Sequence, residues 1–359
     1  MAVNILGAGV SGLCAAIRLA QNGENAVVHE RNADVGMQMQ ENTQALRNYE
    51  GEKDLLEQFK EWGLKLGHFK EIHRITKYAP SGRNITTHSD GKRPIFQVIK
   101  RGPHEHSLDR QLFYQAQDEG VKFDFNSSAK VRDCEIIATG PLFKNGIVHG
   151  VELNGVNLDQ DRIHFFMNND FAPGGYIYII PYGTDLSISS VIVNVEANVK
   201  GMLFNFIAKH ELIADMLEGA EFGNEFEGYA YYNIPETAVV KGHLFTGGAA
   251  GFVEAARGFG VIYAIKSGLH AADSILNHAD YDALWKADFG KELMDGFKRR
   301  AMMSQMTNAD YEKMVKGGEK LEAEKYKKMR AEEIEAMKVK FMHVLEKWRK
   351  THDISQFVD

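Results

Sequence analysis

A glycine-rich turn near the N-terminus restricts the fold of this chain more than any other feature. Gly7, Gly9 and Gly12 form a GxGxxG pattern, preceded by a short apolar run and followed by small and aliphatic residues at helical spacing. In such a strand–turn–helix unit the first glycine permits the tight turn and the second lets the backbone approach a pyrophosphate. The third lets the helix pack closely on the strand. The pattern therefore predicts a dinucleotide-binding βαβ unit.

A second predicted strand, residues 26–29, ends on Glu30. A carboxylate at this place can accept hydrogen bonds from the ribose hydroxyls of adenosine. The N–H groups of Val10 and Ser11, at the start of the helix, would face the phosphates, and Arg31 follows the acid. We interpret the region as an adenine dinucleotide site.

Composition narrows the class of protein. The chain has 359 residues, of which 44% are hydrophobic, and a net charge of −7, which argues against nucleic acid as the main partner. Cys14 and Cys134 are far apart in apolar surroundings, so we expect both in the core of a protein from a reducing, cytoplasmic compartment. No leader-like segment precedes the first strand. No stretch reaches the roughly 20 apolar residues that a membrane-spanning helix needs.

The pattern of periodicities predicts interleaved domains. Helices are expected over 52–67, 199–217 and 260–276, and a pair of strands over 122–125 and 135–138. The predicted nucleotide-binding domain combines residues 1–50, 102–146 and 238–276. The predicted β-sheet substrate domain combines residues 51–101 and 147–237, and residues 277–359 form a helical C-terminal region.

Three further segments accompany the N-terminal turn. They are SLDRQLF at 107–113 with ATG at 138–140, PGGYIYIIP at 173–181, and the glycine-rich stretch 247–272. With the turn, they resemble the FAD-dependent oxidoreductase superfamily of geranylgeranyl reductases and p-hydroxybenzoate hydroxylase-like aromatic hydroxylases. The resemblance covers most of residues 1–285. It implies an α/β fold in which a Rossmann-like FAD-binding domain carries an inserted antiparallel β-sheet domain and a C-terminal helical tail.

The resemblance also implies cofactor-binding residues beyond the N-terminal unit. These are Arg110, near the phosphates or the ribityl chain, and Thr139, Gly140, Gly247, Gly248, Gly258, Gly260 and Val261. The N–H groups of Gly260 and Val261 would face the negative charge on a reduced flavin. The alternative for Arg110 is an arginine at the start of a helix that pairs with Asp109 or with solvent. Gly248 stands where the superfamily has an aspartate for the ribityl chain, so an aspartate there is expected to tighten FAD.

Tyr176 and Tyr178 are two residues apart and therefore face one side of a strand. They either line a cavity for an apolar or amphiphilic small-molecule substrate or form core. His104 and His106 have no third ligand nearby, so no metal site is predicted. In the tail, apolar residues recur at helical spacing among charges: Met337, Phe341, Val344, Leu345 and Trp348. The tail either docks on the body or on a second subunit, or lies on a membrane surface as a peripheral contact.

Three functions are compatible with these features. The first is an FAD-dependent oxidoreductase that reduces C=C bonds of an isoprenoid or lipid-like substrate, with a proton donor that the sequence does not identify. The second is an FAD-dependent monooxygenase. The third is a non-catalytic flavin-binding sensor or interaction protein, motivated by Gly248. Because the chain has one nucleotide fingerprint, NAD(P)H, if the protein uses it as a reductant, must dock transiently.

Overall fold

The computed structural model describes residues 2–39, 42–48, 53–155, 158–193, 196–317, 342–343, 345–347 and 349–358. The strands in this part of the chain are β1 Val3–Leu6, β2 Ala26–Glu30, β3 Thr43–Arg47, β4 Lys70–Ile72, β5 Arg74–Tyr78, β6 Asn84–His88, β7 Phe96–Lys100, β8 Lys122–Phe125, β9 Ile136–Ile137, β10 Gly146–Asn154, β11 Arg162–Phe166, β12 Tyr176–Tyr182, β13 Asp185–Ile192, β14 Glu221–Ala230, β15 Val239–Val240 and β16 His243–Phe245. The helices are α1 Val10–Gln21, α2 Leu55–Glu61, α3 Leu108–Asp118, α4 Val199–Lys209, α5 Glu211–Met216, α6 Gly247–Ala250, α7 Val261–Asn277, α8 Tyr281–Trp285, α9 Lys291–Met303 and α10 Asn308–Gly317.

The first sheet has the strand order β15-β16-β9-β1-β2-β8, and only the β15–β16 pair is antiparallel. Helix α1 packs against α7, and a Cβ on Gly268 would overlap Ser11 O, so the two backbones touch. Cys14 and Cys134 are buried in this core, as expected. The predicted strand pair 122–125 and 135–138 is wrong. These strands lie in one sheet but apart, because β8 pairs with β2 whereas β9 lies between β1 and β16.

The second sheet has the order β14-β10-β13-β12-β11-β5-β6 and is antiparallel except for the β11–β5 pair. One of its faces packs on α4 and α5 through Leu203, Phe206 and Ile213. The other face meets a three-stranded antiparallel sheet, β3-β7-β4. The predicted α/β class, with a Rossmann-like sheet and a second, largely antiparallel sheet, is confirmed.

Two predicted helices are shorter than expected. The helix over 52–67 covers only α2, because Gly63 takes a left-handed conformation (φ +74°) soon after its end. The helix over 199–217 breaks at His210, which is extended (φ −87°, ψ 110°) and separates α4 from α5. Hydrophobic periodicity continues across both breaks and does not reveal them.

The C-terminal segment contacts the body of the molecule. Leu345 is buried in the core that includes the first sheet. Arg349 Nε donates to Ile234 O at 2.8 Å, and Tyr231 Oη donates to His352 O at 3.1 Å. Met337, Phe341, Val344 and Trp348 lie outside the described residues. Within the described part of the chain, no helix is long and apolar enough to cross a membrane. Self-association and peripheral membrane contact through this region stay predictions.

Candidate functional site

The N-terminal glycine turn connects β1 to α1 beside the end of β9. Gly7 has φ +106°, and a Cβ there would lie 2.5 Å from Ala138 O. A Cβ on Gly12 would overlap Gly7 O. Gly9 differs, because its Cβ would meet only Ala138 O, at 3.7 Å. Two glycines of the turn are therefore required by the protein itself, whereas Gly9 leaves open space that a ligand can use.

The first turn of α1 faces this open space. Gly9 is its N-cap, with no side-chain cap and no acidic residue in the first turn, so the initial N–H groups suit an anion. Val10 and Ser11 are buried. The Ser11 hydroxyl accepts a hydrogen bond from Thr246 Oγ1 at 3.1 Å, away from the turn. Ser11 thus offers a ligand its backbone rather than its side chain.

Glu30 ends β2 with its carboxylate held beside the turn. It is 9% exposed; Oε2 accepts the N–H of Ala8 at 2.9 Å, and Oε1 accepts two hydrogen bonds from Asn32, at 2.9 and 2.7 Å. These bonds fix the orientation of the carboxylate, whose remaining lone pairs are suited to hydroxyl donors. Arg31 follows directly and is exposed.

Arg110 lies in the first turn of α3 and pairs with Asp34 rather than with Asp109. Its guanidinium contacts Asp34 at 3.0 and 2.5 Å and donates to Pro103 O at 2.8 Å. The Arg110 hydrogen bond holds the pKa of Asp34 below its ordinary value. Asp109 is buried against Arg101 at 2.7 Å, so the alternative of an Arg110–Asp109 pair is wrong.

The loop after β9 presents a hydroxyl that has no partner. Thr139 Oγ1 is buried and, among the described residues, makes no hydrogen bond. Its backbone N lies 3.2 Å from where a Gly7 Cβ would be, so it adjoins the turn. Gly140 follows in a left-handed conformation (φ +80°). An orphaned buried hydroxyl is costly unless a ligand completes it, so Thr139 fits a polar ligand held at the turn.

The second glycine-rich segment joins the first. Gly247 (φ +52°) donates its N–H to Ser267 Oγ at 2.9 Å. A Cβ on Gly248 would lie 3.2 Å from both Gly140 C and Pro141 N. The Gly140–Pro141 peptide thus occupies space beside Gly248, which gives a physical reason for glycine where the superfamily has aspartate.

A loop of residues 254–259 leads from this segment to α7. Gly258 adopts φ +76°, and Gly260 is the N-cap of α7 without a side-chain cap. The first turn of α7, which begins at Val261, contains no acidic residue. This second helix N-terminus is therefore also suited to negative charge.

Tyr176 and Tyr178 lie on the face of β12 that meets the three-stranded sheet. The Tyr176 hydroxyl donates to Arg257 O, in the loop before α7. Burial raises the pKa of Tyr178 to about 12, so it stays protonated at neutral pH. The aromatic rings packed in this region come from both sheets and from the loop: Phe96, Phe165, Tyr176, Tyr178, Tyr182 and Phe259. The structure thus brings Tyr176 to the loop before α7, and the ring of Tyr178 lies next to it, with centroids 6.1 Å apart.

Sequence reasoning missed Arg47, which lies close to this site. Arg47 is 6% exposed, donates to Tyr263 Oη at 2.6 Å, and lies 5.0 Å from the ring centre of Phe259. It lies on β3, in a stretch that looks merely polar. The alternation of Thr43, Ala45 and Arg47 on one face of this strand is the signal that could have located it.

Of the two histidines considered as metal ligands, His106 packs against another histidine ring. The rings of His68 and His106 stack with centroids 4.2 Å apart. Among the described residues, no group of three His, Cys, Asp or Glu side chains could hold a metal ion.

Several known proteins are similar to this chain in sequence. The model of the NAD(P)-binding Rossmann-like domain matches residues 5–55. Digeranylgeranylglycerophospholipid reductase 2 of Methanopyrus kandleri is 24% identical over 353 residues, covering 86% of this chain and 88% of the relative. Digeranylgeranylglycerophospholipid reductase of Methanocaldococcus jannaschii is 24% identical over 381 residues, covering 91% and 93%.

Solved structures share the fold. A geranylgeranyl bacteriochlorophyll reductase-like protein from Thermoplasma acidophilum superposes with a TM-score of 0.73 at 19% identity, covering 88% of this chain and 90% of that one. A flavin-dependent brominase gives a TM-score of 0.62 at 16% identity, covering 98% and 99%. The fold implied by the resemblance of the four segments is thereby confirmed.

Proposed function

We propose that the protein is an FAD-dependent oxidoreductase that reduces carbon–carbon double bonds of an isoprenoid or lipid-like substrate. One observation carries the proposal: Tyr176 is bonded to the loop before α7, so an aromatic surface lies beside a helix N-terminus. Such an arrangement supplies a place for a flavin ring and an apolar substrate side by side. The named activity of the two archaeal relatives, which act on digeranylgeranylglycerophospholipid, supports the substrate class.

The residues present fit FAD. The first turn of α1 and the open space at Gly9 would hold the pyrophosphate, and the Glu30 carboxylate would accept the ribose hydroxyls. The orphaned hydroxyl of Thr139 would gain a partner. Gly260 and Val261, at the start of α7, would direct N–H groups to the flavin ring. A bound flavin supplies hydride transfer, with NAD(P)H as the transient reductant.

The protein's own part in the reaction is placement and exclusion of water. The aromatic side chains around Tyr176 offer an isoprenoid chain a surface of low polarity. The burial of each CH₂ group of the chain on this surface contributes about 0.8 kcal/mol. A small acidic metabolite would have to bury its charge, which is costly without a partner. In a partly buried site, the dipole of α7 stabilises negative charge that develops on the flavin by up to about 2 kcal/mol.

The visible spectrum of the purified protein tests the cofactor assignment. We expect a flavin spectrum, and extraction followed by mass spectrometry should identify FAD. A protein that stays colourless after incubation with FAD would instead support the non-catalytic alternative. Oxygen consumption coupled to NAD(P)H and substrate, with a hydroxylated product, would support the monooxygenase.

Two variants of Tyr176 test the substrate surface. Tyr176→Phe keeps the ring and loses the bond to Arg257 O, whereas Tyr176→Ala loses both. We expect prenyl lipids to perturb the flavin spectrum in the wild type and in Tyr176→Phe, but not in Tyr176→Ala, with flavin content retained in all three. Loss of flavin from Tyr176→Ala would show that the residue is structural and contradict its place in the substrate site.

A further inference from the structure

Glu254 is a fully buried carboxylate in the loop before α7. Its backbone N–H donates to Phe259 O at 2.9 Å, and its carbonyl accepts the Gly258 N–H at 2.8 Å. Its side-chain Oε2 accepts the Arg257 N–H at 2.8 Å. Glu254 therefore makes three hydrogen bonds within the loop, which fix the position of Gly260, the N-cap of α7.

Helix α9, from the C-terminal region, packs closely against this carboxylate. Arg299 Nη2 lies 3.4 Å from Glu254 Oε1. A Cβ on Gly296 would lie 2.7 Å from the same oxygen. Residues 296 and 299 are one turn apart and share a helix face. A glycine inside a helix costs roughly 0.5–1 kcal/mol relative to alanine, and here it leaves the space that the carboxylate needs.

The next residue of α9, Arg300, contacts the second sheet. Arg300 is 7% exposed and donates to Gly174 O, just before β12. Tyr176, on β12, returns to the loop through its bond to Arg257 O. Helix α9, the loop and β12 are therefore bonded to one another pairwise, so a shift of one is resisted by the other two.

We propose that Glu254, held by Arg299 of α9, is a positioning residue that fixes the N-terminus of α7. The charges of Glu254 and Arg299 then act in opposite directions on the flavin. The proposal rests on the proposed function for its flavin. The carboxylate opposes negative charge on a reduced flavin, and the guanidinium favours it. Removing one or the other must therefore move the flavin reduction potential in opposite directions.

Redox titration of the flavin-loaded protein tests this charge balance. Glu254→Gln keeps the shape and an acceptor for the Arg257 N–H, and we expect a more positive potential. Arg299→Gln should give a more negative one. Lys298→Gln makes the same charge change one residue away, at a side chain that is 44% exposed and paired with Asp295, and should leave the potential unchanged. Shifts of the same sign for Glu254→Gln and Arg299→Gln, or no shift in either, would overturn the proposal.

Hydrogen exchange of the flavin-free protein tests the positioning without any cofactor. Gly296→Ala pushes a methyl group into the carboxylate, so we expect faster exchange of the Arg257 and Gly258 amides. Gly290→Ala is the control, because its Cβ would meet its nearest neighbour at an ordinary 3.6 Å. Unchanged protection in Gly296→Ala would overturn the role of α9. A protein that takes up no flavin would refute the proposed function, and the exchange result would still decide the role of α9.

Discussion

Alanine at Gly9 and at Gly12 should separate cofactor binding from folding. The two glycines are three residues apart in one turn, yet only a Cβ on Gly12 would collide with the protein. It would lie closer to Gly7 O than 3.0 Å, a separation below which Cβ contacts are essentially never found. Gly9 has φ −80° and ψ 178°, which alanine adopts without strain, and its Cβ would meet Ala138 O at 3.7 Å.

The magnitudes follow from these distances. Gly9→Ala exchanges a favourable N-cap for a poorer one, at a cost of about 1 kcal/mol in the free energy of unfolding. Its methyl group fills the space assigned to the pyrophosphate. Losing one hydrogen bond to that charged group costs about 1.5–3 kcal/mol, so FAD should bind roughly tenfold to a hundredfold more weakly. Gly12→Ala gains about 1 kcal/mol of helix propensity. Its Cβ would overlap the backbone oxygen of Gly7, however, and a clash of this kind costs about 3 kcal/mol or more, so the net loss of stability should be about 2 kcal/mol or more.

Urea denaturation of the flavin-free proteins and FAD titration by fluorescence quenching measure the two effects. We expect Gly9→Ala to lose only about 1 kcal/mol of stability and to bind FAD weakly. Gly12→Ala should lose stability before any cofactor is added. Wild-type FAD affinity in Gly9→Ala would refute the pyrophosphate assignment, and wild-type stability in Gly12→Ala would refute the packing argument.

Three further predictions follow from single side chains. Glu30→Gln should weaken FAD binding, because a neutral amide replaces one acceptor oxygen with a donor; unchanged affinity in an FAD titration would contradict the ribose assignment. Gly248→Asp should bind FAD roughly tenfold to a hundredfold more tightly than Gly248→Ala, which carries the same Cβ crowding without the carboxylate; equal affinities would show that the ribityl hydroxyls are satisfied elsewhere. Burial lowers the pKa of His164, bonded to Tyr78 Oη at 3.0 Å, to about 4. Because the unfolded chain protonates near 6.5, the free energy of unfolding should fall by about 2 kcal/mol between pH 7 and pH 5, and a urea series in which His164→Gln shows the same fall would exclude this histidine as the cause.

Local chemistry made part of the architecture predictable. Ser107 accepts the Arg110 N–H at 3.1 Å and caps α3, a role for which serine directly before a helix is strongly preferred. The α/β class followed from the glycine turn with its flanking strand and helix, since these features depend only on residues close in sequence.

Contacts between distant residues could not be predicted from the sequence. Arg110 meets Asp34 across 76 positions, a pairing that no local pattern encodes. The approach of Gly140 to Gly248 likewise depends on how two loops of the first sheet meet. The contact of α9 with Glu254 joins a helix outside the superfamily resemblance to a loop within it. One-dimensional spacing carries no information about such pairs until the fold brings them together.

Anaerobic mixing of the reduced, FAD-loaded protein with a digeranylgeranyl phospholipid shows whether the flavin reduces a C=C bond. We expect the oxidised flavin spectrum to return without oxygen and the lipid to gain two hydrogens for each double bond reduced. Flavin that stays reduced under these conditions, or that reoxidises only when oxygen is admitted and yields an oxygenated product, would contradict the proposed function.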